Sequence, residues 1–129
     1  MTHPNEEIAR RAFEGFVERD RDAITRYLAE DMTYHLGGDS AISGDREGRD
    51  AFLGLIEQAN RMGIETSYDL HAVLADDDHA VVLFTAQLER EGKDPYDQPG
   101  VFVYHVEDGQ ITEIWSFPFD QAALKEFAS

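Results

Sequence analysis

From Glu65 to Phe117 the chain runs as four strand-length segments, about Glu65–Ala75, Ala80–Glu91, Gly100–Glu107 and Ile111–Phe117, parted by polar turns. Nothing helical separates them, so neighbours pair antiparallel through hairpins and an alternating, parallel α/β sheet is excluded. Asp76-Asp77-Asp78-His79 and Glu107-Asp108-Gly109-Gln110 read as tight turns, the second carrying the Asp-Gly hairpin signal. Glu91–Pro99 reads as a looser connection. The late strands are apolar on both faces: Phe102, Tyr104 and Val106 on one, Val101 and Val103 on the other, with Ile114 opposite Trp115 and Phe117. A sheet with one wet face alternates more cleanly. The second face therefore calls for a cover, and the simplest is a second copy of the chain, giving a homodimer through the sheet.

Helices come before this run. Asn5 stands where an N-cap is expected, with Glu6 and Glu7 in the first turn, where the helix dipole favours acid. Ile8, Ala9, Ala12, Phe13, Phe16 and Val17 form an apolar stripe at helical spacing that stops at the polar turn Arg19-Asp20-Arg21-Asp22. A short second helix carries Ala23, Ile24, Tyr27 and Leu28, and Met32–Leu36 reads as a strand ended by Gly37-Gly38. The Gly-, Ser- and Asp-rich stretch from Gly37 to Gly48 reads as a loop. A third helix follows, with Phe52, Leu55, Ile56 and Ala59 on one face, ending near Gly63. Asp120 is placed to cap a short C-terminal helix containing Ala123, Leu124 and Phe127. The order predicts an α+β class, and 129 residues predict a single domain over 1–129, long enough to bury a core.

Charge narrows the partners. Eleven basic residues against 27 acidic ones leave a formal charge of −16, a field that repels phosphate, so neither nucleic acid nor an anionic membrane surface is expected as a partner. The chain has no cysteine, which removes disulfides, thiol nucleophiles and thiolate metal sites. The five histidines show neither HxH nor HExxH spacing, no phosphate-loop pattern exists, and no metal or cofactor is expected. There is no membrane-length apolar segment, and the first residues carry neither a basic region nor an apolar core of a signal peptide. The expected location is cytoplasmic.

Several stretches carry a resemblance. They are the opening helix, Leu28-Ala29-Glu30-Asp31-Met32-Thr33-Tyr34-His35-Leu36-Gly37-Gly38, Gly44-Asp45-Arg46-Glu47-Gly48-Arg49-Asp50-Ala51, Leu70-His71-Ala72-Val73-Leu74-Ala75, and Gly109-Gln110-Ile111-Thr112-Glu113-Ile114-Trp115-Ser116-Phe117. Together they resemble the SnoaL-like polyketide cyclases and their relatives in the nuclear transport factor two-like superfamily. The resemblance implies a cone-shaped, curved antiparallel sheet wrapped around the three helices of the N-terminal half, a cystatin-like α+β barrel, with a short C-terminal helix. It is specific for fold and weak for chemistry, because this scaffold hosts isomerases, cyclases, dehydratases, epoxide hydrolases and plain binding proteins. Ala12, Leu36 and Phe102 fall where ketosteroid isomerases have their oxyanion tyrosine, general base and protonated aspartate, so that mechanism is not expected. Ser116 falls where the SnoaL-type cyclases have a catalytic aspartate, and a hydroxyl is a poor base without an activating neighbour.

The matched positions imply a pocket lined by Phe16, Tyr34, Leu36, Ile56, Phe102, Tyr104, Ile114 and Ser116, apolar with a few hydroxyls, suited to a small hydrophobic molecule. Tyr34 is a candidate donor to a ligand carbonyl. His35 is a candidate for proton transfer, since an imidazole titrates near neutrality, but strict alternation sends it to the face opposite Tyr34. Asp120, just past the last strand, is a candidate base at the pocket mouth or simply a helix cap. Arg46 and Arg49 are placed to reach a carboxylate at the rim. His71 and His105 read as core or interface residues, and His79 as a solvated turn residue. The leading functional expectation is a cofactor-independent acid/base enzyme acting on a small hydrophobic carbonyl- or epoxide-bearing metabolite, with Tyr34 polarising the oxygen and His35 or Asp120 moving the proton. The alternative is a non-catalytic hydrophobic-ligand-binding or dimerisation module.

Overall fold

In the computed structural model, which describes residues 3–129, the elements follow the order α1 (Pro4–Glu18), α2 (Arg21–Tyr27), β1 (Leu28–Leu36), β2 (Gly44–Glu47), α3 (Arg49–Arg61), β3 (Glu65–Ala75), β4 (His79–Glu89), β5 (Tyr96–Glu107), β6 (Gln110–Pro118) and α4 (Gln121–Phe127). One curled, unclosed sheet holds all six strands in the order β2-β1-β6-β5-β4-β3. β3 to β6 are joined antiparallel in sequence order, as hairpin-connected strands must be. β1 adds to β6 in parallel, with Tyr34 beside Ile114 and Leu36 beside Ser116. At the β5–β6 hairpin Asp108 and Gly109 both have positive φ, 50° and 80°, as the turn favoured by the strand twist requires.

Four local expectations are corrected. Asn5 does not cap α1: His3 is the N-cap, its Nδ1 accepting from the Asn5 backbone N–H at 3.0 Å. The Asn5 side chain instead donates to the carbonyls of Asp76 and Asp77, at 3.0 and 2.9 Å, latching the start of α1 to the β3–β4 turn. Residues 37–48 are not all loop, because Gly44–Glu47 form β2, paired antiparallel with Thr33–Leu36. The second helix stops at Tyr27 and Leu28 already belongs to β1, while β5 begins at Tyr96, inside the stretch read as a connection.

The core lies between the helices and the concave face of the sheet. Ala9, Ala12 and Phe13 of α1 are buried, as the apolar stripe requires, and α1 meets α2 where Gly15 lets the backbones close; a Cβ there would stand 2.8 Å from that of Ala23. Phe13 packs against Tyr68, Phe84 and Phe102 at centroid distances of 5.6, 5.5 and 6.0 Å, and Phe16 adds Phe52 and Tyr68. Each buried ring of this kind contributes roughly 1.5–3 kcal/mol of burial free energy, so this aromatic cluster fixes the helices to the sheet. Arg49 anchors the α2–β1 junction by donating to the carbonyls of Thr25 and Leu28.

Candidate functional site

The aromatic cluster does not fill the cone completely. A cavity of about 160 Å³ remains between α1, α3, α4 and the sheet. An engineered apolar cavity of roughly 150 Å³ takes benzene, so this space suits a molecule about one aromatic ring in size. Phe16, Tyr34, Leu36, Ile56, Phe102 and Ser116, six of the residues expected in the pocket, line it. Tyr104 and Ile114 lie one layer deeper, around a narrow crevice that shares Phe16, Tyr34, Phe52 and Phe102 with the main cavity.

The polar content of the lining is small and mostly neutral. Alternation along β1 points Tyr34 and Leu36 inward, and the parallel pairing with β6 brings Ser116 beside them. Burial pushes the Tyr34 phenol up to about 12, while the nearby Ser116 hydroxyl and the charge of Arg46 hold the shift back. Tyr34 is therefore an un-ionised O–H donor at any physiological pH. Arg46 stands opposite Tyr34 in the β1–β2 pair, with its guanidinium donating to the Ser43 and Asp45 carbonyls. Tyr68 and Tyr104 are raised further by burial, with the Arg19 charge and the Thr66 hydroxyl near Tyr68 opposing the shift there. No carboxylate or imidazole lines the cavity among the described residues.

Two expected proton carriers lie elsewhere. His35 is on the convex face of the sheet, as alternation requires, with its ring stacked on Trp115 at 5.9 Å. Its Nδ1 is 2.8 Å from Asp45 and its Nε2 2.5 Å from Glu113, so both ring nitrogens face carboxylates. Those hydrogen bonds, Asp45 first and Glu113 second, raise its pKa above the ordinary imidazole value. Asp120 is exposed and caps α4, accepting from the Ala123 N–H at 2.9 Å. Its backbone is gripped by a residue that sequence reasoning missed, Gln98, which is buried: Oε1 accepts from the Asp120 N–H at 2.8 Å and Nε2 donates to the Asp120 carbonyl at 2.7 Å. That clasp sets α4 over the open end of the cone, where Leu124 and Phe127 close the cavity. Arg90 adds to the hold, donating to the carbonyls of Phe127 and Ser129 at 2.9 Å each.

Arg19, Thr66 and Tyr68 also line the cavity and were not anticipated. Thr66 and Tyr68 were legible as the inward positions of an alternating strand; Arg19 had only the signal of being the residue at which the α1 stripe stops. His71 and His79 are exposed and His105 is half-buried, all outside the cavity. No group of side chains suited to a metal ion occurs among the described residues, and no described helix is long and apolar enough to cross a membrane.

The curled, unclosed six-stranded sheet with its four helices is shared with solved structures of nuclear transport factor 2-like and cystatin-like fold. The SnoaL-like domain profile matches residues 9–114, and the chain belongs to that family. Among solved structures it is similar to Bal32a from a soil-derived mobile gene cassette, with 26% identity and a TM-score of 0.90 over 98% of this chain and 97% of that one. It is also similar to a nuclear transport factor 2-like protein of Burkholderia xenovorans, with 21% identity and a TM-score of 0.85 over 100% and 98% of the two chains. A candidate polyketide cyclase of Xanthomonas campestris shares the fold at 22% identity and a TM-score of 0.81, over 98% and 97%. No curated protein matches the sequence significantly.

Proposed function

We propose that this chain binds a small, apolar, carbonyl-bearing molecule in the cavity, with the Tyr34 hydroxyl donating to the carbonyl oxygen. The observation that carries this reading is a buried, un-ionised phenol set in an apolar lining of single-ring size. The Ser116 hydroxyl lies near that phenol, and a ligand oxygen at hydrogen-bonding distance gives the donor a partner in the cavity. An epoxide oxygen is also an acceptor and would satisfy the same donor. Isothermal titration with 4-phenylbutan-2-one tests the reading: binding to the wild type that weakens about fivefold in Tyr34→Phe supports it, a hydrogen bond being worth on the order of 1 kcal/mol.

A second reading, a cofactor-independent enzyme of the isomerase or cyclase type, is favoured by the likeness to a candidate polyketide cyclase and by the capacity of Tyr34 to stabilise an enolate. It asks for a base, and the cavity lining supplies none, with His35 on the far face and Asp120 holding α4. Exchange of the ketone's α-protons in heavy water separates the two readings, since binding alone leaves the exchange at the buffer rate.

Pairing of two copies through the convex face belongs to the same proposal. Phe117 is 52% exposed there, and Val101, Val103 and Trp115 are only half-buried. Native mass spectrometry should give a dimer that Val103→Glu dissociates; a wild-type monomer would sink the pairing.

A further inference from the structure

Arg19 is an unusual residue for its position. It is the C-cap of α1 with φ 56°, in the left-handed region, its N–H hydrogen-bonded back to the Gly15 and Phe16 carbonyls. Glycine is the favoured residue in such a cap because any Cβ is strained there. A strained, non-glycine residue at a cavity wall points to a task for the side chain. Arg19 lines the cavity and also the polar cleft outside it; Ile64 and Thr66 are the other residues common to both, so these three form the threshold between them. Asn60, Gly63 and Glu65 complete the outer cleft. In a chain with 27 acidic residues and 11 basic ones, Arg19 is in no ion pair among the described residues, not even with Glu65 across the cleft. Its charge nevertheless reaches inward, stabilising the ionised form of Tyr68 against the effect of burial.

We propose that Arg19 is the anion-recognition residue of this cavity: the natural ligand carries a carboxylate that sits at the threshold against the guanidinium and the Thr66 hydroxyl, with its apolar, carbonyl-bearing body inside. This deepens the binding reading above and rests on it. A free acid is otherwise disfavoured by a protein of charge −16, so a preference for acid over neutral amide has to be local. The position at a helix C-terminus gives Arg19 a bland role as well, complementing the dipole, but that role affects stability and not ligand choice.

The test compares 3-phenylpropanoate with 3-phenylpropanamide, titrated into the wild type and Arg19→Gly at low ionic strength. Glycine suits the backbone at this position, so the variant keeps the fold, and its melting temperature is read alongside. The expected result is at least a tenfold preference of the wild type for the acid, reduced to none or reversed in Arg19→Gly because acid affinity falls more than amide affinity, with a cooperative melt showing that the variant is folded. Equal acid and amide affinity in the wild type, or an acid preference that survives in Arg19→Gly, overturns the role of Arg19 while leaving the cavity reading intact. Failure of both probes to bind the wild type overturns the cavity reading together with it.

Discussion

The Nε2 atom of His35 stands 2.5 Å from the Glu113 carboxylate, across the parallel join of β1 and β6, on the side of the sheet turned away from the cavity. With Asp45 on its other nitrogen, the ring fits best as an imidazolium donating to both acids, tying β2, β1 and β6 together.

That arrangement makes stability depend on pH in a definite direction. The pKa of His35 is raised above 6.5 in the folded protein, so the folded state holds a proton that the unfolded chain releases in the window between the two values. The stabilisation is fully present below the unfolded value and is lost as pH rises through the folded one. Urea unfolding at about pH 6 and about pH 9 should show the wild type losing stability over that interval, with His35→Gln losing less. Equal losses in the two proteins would mean that the imidazolium does not hold this edge of the sheet.

Gln98 sits under a different join. Its amide bonds both backbone groups of Asp120, and Gln98→Leu would leave that N–H without a partner and the carbonyl with only the Leu124 N–H. The expected cost is on the order of 2 kcal/mol, read by denaturant unfolding. Hydrogen exchange should localise it, with α4 losing protection while β3 and β4 keep theirs.

Gly100 leaves room for a ring. It pairs with Phe84 across β4 and β5, and a Cβ on it would stand 2.9 and 3.0 Å from the Phe84 ring atoms. Gly100→Ala therefore forces Phe84 toward the cavity, with an expected destabilisation of about 1–3 kcal/mol. The same variant should bind 4-phenylbutan-2-one more weakly; unchanged stability and binding would show that Phe84 moves elsewhere at little cost.

The sequence carried the strand run and the helix stripes plainly, because periods of two and 3.6 follow from which side chains face a core. It was silent about β2, where Gly44-Asp45-Arg46-Glu47 has no apolar alternation and pairs on one side only, as an edge strand. Asn5 had the local chemistry of a cap, but the β3–β4 turn, about seventy residues away, offered its amide two carbonyls. The site divides the same way. Tyr34 and Ser116 lay on inward strand positions and were legible. Gln98 is buried beside Pro99 in a polar stretch, and its role exists only through the chain returning at Asp120. Arg19 depends on a backbone conformation that residue identity does not announce.

The central claim, that the Tyr34 hydroxyl receives a ligand carbonyl, is tested most directly on the carbonyl itself. Carbon-13 NMR of carbonyl-labelled 4-phenylbutan-2-one bound to the protein should show a downfield shift of the carbonyl resonance, which a donated hydrogen bond produces. In Tyr34→Phe the bound resonance should return toward its value in apolar solvent. The same shift in both proteins, or no bound signal in the wild type, would contradict the account.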